Sequence, residues 1–149
     1  MTYSKETEKT KILVLGSEGQ LGISLIKTLS KSFIVEGINK KKFNFLEPEN
    51  FLDLVKSSKA KYVINAAAYT NVEQAETEVD LARLINGEAL KFIAKACNEE
   101  KIKLFHFSTD YVFDGEKDHP YSEEDIPNPI SSYGKSKFLG EKFIQENTE

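Results

Sequence analysis

The 149 residues are 40% apolar and 30% charged with a formal charge of −4, the composition of an ordinary globular domain with room for one core. This mild acidic excess offers no overall attraction to nucleic acid or anionic membranes, and no apolar run approaches the roughly 20 residues that cross a bilayer. The single cysteine, Cys97, excludes an internal disulfide, and with only His106 and His119 to join it a structural zinc site is not expected.

The chain begins MTYSKETEKT, polar and mixed in charge, without the apolar stretch of a signal peptide. It reads as a cytoplasmic protein with a flexible tail over residues 1–10 and a loose extreme C-terminus. Lys11–Leu15 is a short apolar run that stops at Gly16, the pattern of a strand buried on both faces. From Gln20 to Ser30, Leu21, Leu25, Ile26 and Leu29 recur at helical spacing. Phe33-Ile34-Val35 predicts a second strand, followed by the polar Asn39-Lys40-Lys41-Lys42.

After a brief Phe43-Asn44-Phe45 segment, Glu47-Pro48-Glu49 fits the first turn of a helix that carries Phe51, Leu52 and Val55 inward. Tyr62-Val63-Ile64 predicts the third strand and runs into Asn65-Ala66-Ala67-Ala68. A long helix is expected from Val79 to Glu99, with Ala82, Ile85, Ala89, Ile93 and Ala96 on one face and Cys97 buried as a small apolar residue. Lys103–Phe107 reads as the fourth strand, and Ser131–Glu146 as a final helix. Alternation of this kind means an α/β fold, a Rossmann-like doubly wound parallel sheet with right-handed crossovers. In such sheets ligands bind beyond the carboxyl ends of the strands, so the residues just after each strand carry the functional signal.

The first such turn is Gly16-Ser17-Glu18-Gly19-Gln20-Leu21-Gly22. Glycines let the backbone turn tightly and approach a pyrophosphate, whose charge the exposed N–H groups and the positive helix end favour. Ordinary turn chemistry also explains three glycines, but their place between a buried strand and an amphipathic helix points to a dinucleotide. After the second strand an NAD site usually carries an acid for the ribose 2′-hydroxyl. Here Asn39 and Lys40 stand instead, which favours NADP(H) over NAD(H), although Glu36 lies close enough in sequence to keep NAD open and the lysines also read as a solvated turn.

Two later features supply chemistry. Ser108 and Thr109 place hydroxyls at the end of the fourth strand, and Tyr133 and Lys137 lie four residues apart, on one face of the last helix. A phenol with a pKa near about 10 transfers protons poorly at neutral pH, and a nearby ammonium favours its ionised form. In the reductive direction Tyr133 would protonate the carbonyl oxygen as hydride arrives, with Thr109, or else Ser108, holding that oxygen. Tyr-x-x-x-Lys alone is a weak motif. Its weight comes from following the glycine turn, the Asn-Ala-Ala-Ala strand end and the Ser-Thr strand end in that order.

With these segments the sequence resembles the extended short-chain dehydrogenase/reductases, and within them the dTDP-4-dehydrorhamnose reductase family. GSEGQLG from Gly16, VINAAAYTNVEQAE from Val63, FSTDYVFDG from Phe107 and PYSEEDIPNPISSYGKSKFLGE from Pro120 carry the resemblance. It implies a catalytic triad of Thr109, Tyr133 and Lys137. It implies cofactor contacts at Gly16, Gly19, Gln20, Leu21, Gly22, Ala66, Ala67, Ala68 and Tyr69, with Lys137 also on the nicotinamide ribose. It further implies reduction of the 4-keto group of dTDP-4-dehydro-L-rhamnose to dTDP-L-rhamnose, a nucleotide-sugar substrate. A homodimer is suggested only by analogy with short-chain reductases. Mg2+ is implied for some members, but no acidic cluster in this sequence marks a metal site.

Two departures stand out. Asn44 occupies a position the family usually gives to an acid, and the chain stops after the Tyr-Lys helix. The fold is therefore expected to be a Rossmann-like domain over residues 11–149, truncated before the last strands and the substrate-binding part, with one sheet edge left incomplete. Two other readings fit the same residues: a non-catalytic dinucleotide-binding module, and a sugar-nucleotide epimerase or dehydratase of the same extended class.

Overall fold

The computed structural model of the chain describes residues 9–148. Four short strands, β1 (Lys11–Leu15), β2 (Ile34–Ile38), β3 (Tyr62–Asn65) and β4 (Lys103–His106), form one sheet in the order β2-β1-β3-β4, with every pair parallel. The register aligns Leu15 with both Ile38 and Asn65, and Asn65 with His106. All four strands thus end at one level. The chain leaves β1 toward β2 and then crosses back to β3, which opens a crevice at the carboxyl edge beside β1. This is the expected doubly wound α/β architecture.

β1 is central because Ile12, Leu13, Val14 and Leu15 have no polar face to offer water, and all four are buried. Around it pack Ile38, Phe51, Val55, Val63, Ile93 and Cys97. Phe43-Asn44-Phe45 forms no strand. Phe43 instead meets Phe45 and Phe51 edge to face, both with ring centroids 5.0 Å apart, and closes the core below the carboxyl edge.

The helices are α1 (Gln20–Leu29), α2 (Phe51–Ser58), α3 (Val79–Arg83), α4 (Ala89–Glu99) and α5 (Ser132–Asn147). Proline does open the second helical segment, but Pro48–Asn50 is a separate 3-10 turn and α2 starts at Phe51. Ser131 caps α5 by accepting the Gly134 N–H at 3.0 Å, as its small hydroxyl favours. The helix expected from Val79 to Glu99 is not uniform, because Leu84–Glu88 forms a wide π turn between α3 and α4. Asn86 and Gly87, both poor helix formers, sit in that turn. α5 lies close against it, and a Cβ on Gly140 would come within 2.2 Å of the Asn86 carbonyl oxygen.

Other boundaries also shift. Phe33 does not join β2, since its N–H closes the end of α1 on Leu29 O at 2.9 Å, and Phe107 lies past β4. Of the expected flexible tail, residues 1–8 lie outside the described residues. Thr10 already accepts the Ile34 N–H at 3.0 Å. At the other end α5 persists to Asn147, and the Thr148 hydroxyl bonds back to Ile144 O at 2.7 Å. Among the described residues no helix is long and apolar enough to cross a membrane.

Candidate active site

The turn after β1 is shaped by absent side chains. Gly16 has φ of 76°, a left-handed conformation, and a Cβ there would meet the Ala67 nitrogen at 2.7 Å. Gly22 is as constrained, because a Cβ would lie 2.2 Å from Gly16 O. Gly16 N and Ser17 N both donate to Ile38 O, at 3.0 and 3.2 Å, which ties the turn to the end of β2. Gly19 then starts α1 with no side chain capping its first turn. The result is a strand end, a tight glycine turn and an uncapped helix N-terminus, a combination that suits an anionic diphosphate.

This turn forms one wall of a cleft of about 1160 Å³ along the carboxyl edge of the sheet. Gly16, Gly19, Gln20, Leu21, Asn39, Lys40, Ala66, Ala67, Ala68, Tyr69, Tyr133 and Lys137 all line it. Gly22 does not, and its part is the close packing of α1 on the turn. Thr109 is also outside the lining, whereas Ser108 is within it. The Thr109 hydroxyl accepts the Tyr111 N–H at 3.2 Å and lies 3.2 Å from Asp110 Oδ1, so it caps the following turn. Ser108 Oγ donates to Glu141.

The lysines after β2 divide. Lys40 lines the cleft, while Lys42 pairs with Glu36 at 3.0 Å. Glu36 is also held by Lys11 at 2.9 Å, and hydrogen bonds from the two lysines keep its carboxyl below the usual range. That acid therefore does not line the cleft. Another does: Glu18 Oε1 accepts from Asn39 Nδ2 at 2.8 Å. Asn39 Oδ1 in turn accepts from the N–H groups of Lys41 and Lys42, at 3.1 and 3.3 Å. Asn44 also lines the cleft, and its Oδ1 accepts the Leu46 N–H at 3.1 Å.

On α5, Tyr133 and Lys137 reach the same cleft one helical turn apart. The Tyr133 ring stands edge to face on Tyr111, centroids 5.7 Å apart. Lys137 is only 3% exposed, and its Nζ donates to Phe107 O at 2.7 Å. Burial pushes its pKa down to about 8, against the opposing pull of Glu141. Tyr69 donates its hydroxyl to Glu78 Oε2 at 2.8 Å, and burial followed by that carboxylate raises the phenol's pKa.

Two asparagines that sequence reasoning did not assign to the site, Asn86 and Asn65, support it. Asn86 accepts the Tyr69 N–H at 2.8 Å and donates to Tyr69 O and Ser136 Oγ, both at 3.0 Å. Asn65 Oδ1 accepts the Ala67 N–H at 3.1 Å, and its Nδ2 lies 3.0 Å from His106 Nδ1. The signal for Asn86 was available, since an Asn-Gly pair interrupts an otherwise good helix. Among the described residues no group of three or more His, Cys, Asp or Glu is arranged to hold a metal ion.

The model of the RmlD substrate binding domain family matches residues 10–149. A dTDP-4-dehydrorhamnose reductase of Salmonella typhimurium is 39% identical over 140 residues, covering 91% of this chain and 47% of that protein. The Bacillus subtilis spore coat polysaccharide biosynthesis protein SpsK is 38% identical over 141 residues, covering 94% and 50%. A crystal structure of dTDP-4-dehydrorhamnose reductase from Bacillus anthracis in complex with NADP superposes with a TM-score of 0.90 at 35% identity, covering 94% of this chain and 50% of that one. The chain thus spans about half the length of the relatives it matches. With the motifs, the parallel sheet and the family match in agreement, the chain belongs to the RmlD substrate binding domain family.

Proposed function

We propose that this chain forms the dinucleotide-binding and proton-donating half of an NADPH-dependent reductase acting on the 4-keto group of a nucleotide sugar, with dTDP-4-dehydro-L-rhamnose as substrate and dTDP-L-rhamnose as product. The observation that carries the reading is that Tyr133 and Lys137 line the same cleft as the glycine turn. A phosphate cradle without chemistry nearby would suit a binding module. A Tyr-Lys pair facing that cradle suits hydride transfer to a carbonyl.

The cofactor, when bound, supplies the hydride. Gly16, Gly19 and the first turn of α1 would hold its diphosphate, and Ala66–Ala68 would let its nicotinamide half run close to β3. Lys40 would meet the 2′-phosphate, which favours NADPH, and Glu36 is occupied by Lys11 and Lys42. The NADP complex of the Bacillus anthracis relative supports the same choice. Tyr133 would give its phenolic proton to the carbonyl oxygen, and Lys137 would favour the resulting phenolate. Thr109 would hold that oxygen once its hydroxyl hydrogen turns from Asp110 Oδ1, with Ser108 already at the cleft as the nearer donor.

The test uses the protein extended to the full length of its relatives. NADPH binding, followed by fluorescence, should survive Tyr133→Phe within about two-fold, while turnover of dTDP-4-dehydrorhamnose should drop by about 100-fold or more. Undiminished turnover in that variant removes Tyr133 as the acid. NADPH binding by the unaltered full-length protein without any turnover returns the chain to a binding module.

A further inference from the structure

Behind the cleft wall, three polar side chains from different elements stand in a line: Asn65 at the end of β3, His106 at the end of β4 and Lys137 on α5. Asn65 is 1% exposed and Lys137 3%. The order of hydrogens along this line follows from one fixed point, the Ala67 N–H that donates to Asn65 Oδ1 at 3.1 Å. Turning the amide over would set its NH2 against that N–H, so the oxygen must stay where it is. Asn65 Nδ2 therefore faces His106 Nδ1 at 3.0 Å, and an amide NH2 can only donate.

His106 Nδ1 must then carry a lone pair. Burial, and next the Lys137 charge, push the pKa of this ring down to about 3, so it is neutral at physiological pH. A neutral imidazole with a free Nδ1 has its one proton on Nε2. That nitrogen lies 3.4 Å from Lys137 Nζ. An ammonium has three hydrogens and no lone pair, so it can only oppose this N–H. A neutral amine can accept it while still donating to Phe107 O at 2.7 Å.

We propose that His106 is a positioning residue for Lys137: locked by Asn65 in the Nε2–H tautomer, it hands an N–H to the lysine nitrogen and disfavours the ammonium. The other groups around Lys137 act in both directions. Glu141 on its own helix and the Phe107 carbonyl favour the charged form, burial opposes it, and Tyr133 stands one turn away on α5. The functional meaning rests on the reading of Lys137 as the partner of Tyr133. A loosely held ammonium proton lets Lys137 favour the phenolate as a cation and then return a proton to it, leaving the amine that accepts the His106 N–H.

The experiment reads the imidazole and the amine directly, in this chain and without substrate, so it is independent of whether the chain turns over a sugar. Long-range 1H–15N correlation of the His106 ring near neutral pH should show a bare Nδ1 and a protonated Nε2. Finding the proton on Nδ1, or an imidazolium, overturns the proposal. Lys137 is then titrated through its 13Cε resonance. Asn65→Leu frees the ring to carry its proton on Nδ1, and the Lys137 midpoint should rise by about one unit as Nε2 becomes an acceptor. His106→Gln can accept from Asn65 and donate to Lys137 with its own amide, so its midpoint should stay within about 0.3 units of the parent. An unmoved midpoint in Asn65→Leu, or a rise in His106→Gln as large as the one expected for Asn65→Leu, also overturns it. The tautomer measurement stands alone should Asn65→Leu fold poorly.

Discussion

Asn86, buried in the wide turn between α3 and α4, grips the backbone of Tyr69 from both sides, accepting its N–H at 2.8 Å and donating to its C=O at 3.0 Å. Tyr69 lies in the loop after β3, and the second Asn86 amide hydrogen reaches Ser136 on α5 at 3.0 Å. One side chain thereby couples the loop to the helix that carries Tyr133 and Lys137. Asn86→Leu would leave the half-buried Tyr69 N–H and C=O without these partners, while Ser136 keeps its bond to Tyr133 O. We expect a loss of about 3 kcal/mol in stability from urea unfolding, with weaker dinucleotide binding in the same variant. A variant as stable as the parent would show that the loop does not depend on this contact.

The glycine turn permits a graded test. Gly16→Ala brings a Cβ to within 2.7 Å of the Ala67 backbone at a positive φ, whereas at Gly19 the nearest atom lies at 3.3 Å. Gly16→Ala should weaken NADPH by more than about ten-fold, and Gly19→Ala distinctly less, in fluorescence titrations. Equal losses would mean that the close approach to Ala67 is not what matters.

Among the three lysines after β2, the geometry separates one that lines the cleft from one held in an ion pair. Lys40→Ala should weaken NADPH by roughly five-fold and leave NADH almost unchanged, about the loss of one exposed charge pair. Lys42→Ala removes the partner of Glu36 and should weaken neither cofactor directly. Comparable losses for NADH and NADPH on Lys40→Ala would end the case for a 2′-phosphate contact.

The buried bases give a signed pH dependence. His106 binds protons with a pKa of about 3 in the fold against 6.5 for the free side chain, so between these values the unfolded chain holds more protons. Stability present above 6.5 should therefore fall as pH drops toward 3, at up to about 1.4 kcal/mol per unit. Lys137 acts with the same sign at higher pH, adding stability as pH rises from about 8 to 10.5. Urea midpoints measured across the acid range should slope less steeply in His106→Gln than in the parent.

Cys97 is fully buried, and burial raises its thiol pKa to about 12. Alkylation by iodoacetamide should be negligible in the native chain and rapid after unfolding. The rate of labelling then reports opening of the core around α4. Quick labelling under native conditions would place the thiol elsewhere.

How much of this was legible follows from how local each signal is. β1 could be read because Ile12–Leu15 admits no half-exposed alternative, and the glycine turn because its residues act through their own backbone. The cleft gathers nearly every residue assigned to it for the same reason: parallel strands in register end together, so residues just past them meet. Thr109 carries a second role that no motif specifies, since its hydroxyl also accepts the Tyr111 N–H and caps the following turn. His106 read as a scattered histidine because its partners, Asn65 and Lys137, are 41 and 31 residues away in sequence. The sequence did not separate Lys40 from Lys42, because the pairing of Lys42 with Glu36 depends on how the chain turns after β2.

The π turn has a consequence for the phase of the helix that contains it. One additional residue in a turn rotates everything beyond it by about 100° relative to a regular helix. Leu81 and Ile85, before and at the slip, look into the cleft, while Ile93, Ala96 and Cys97 beyond it join the core against the sheet. A single rod can in this way address two different audiences, the bound ligand at one end and the interior at the other. Deleting one residue between positions 84 and 88 would leave a more regular helix and a worse protein, with each half facing where the other belongs.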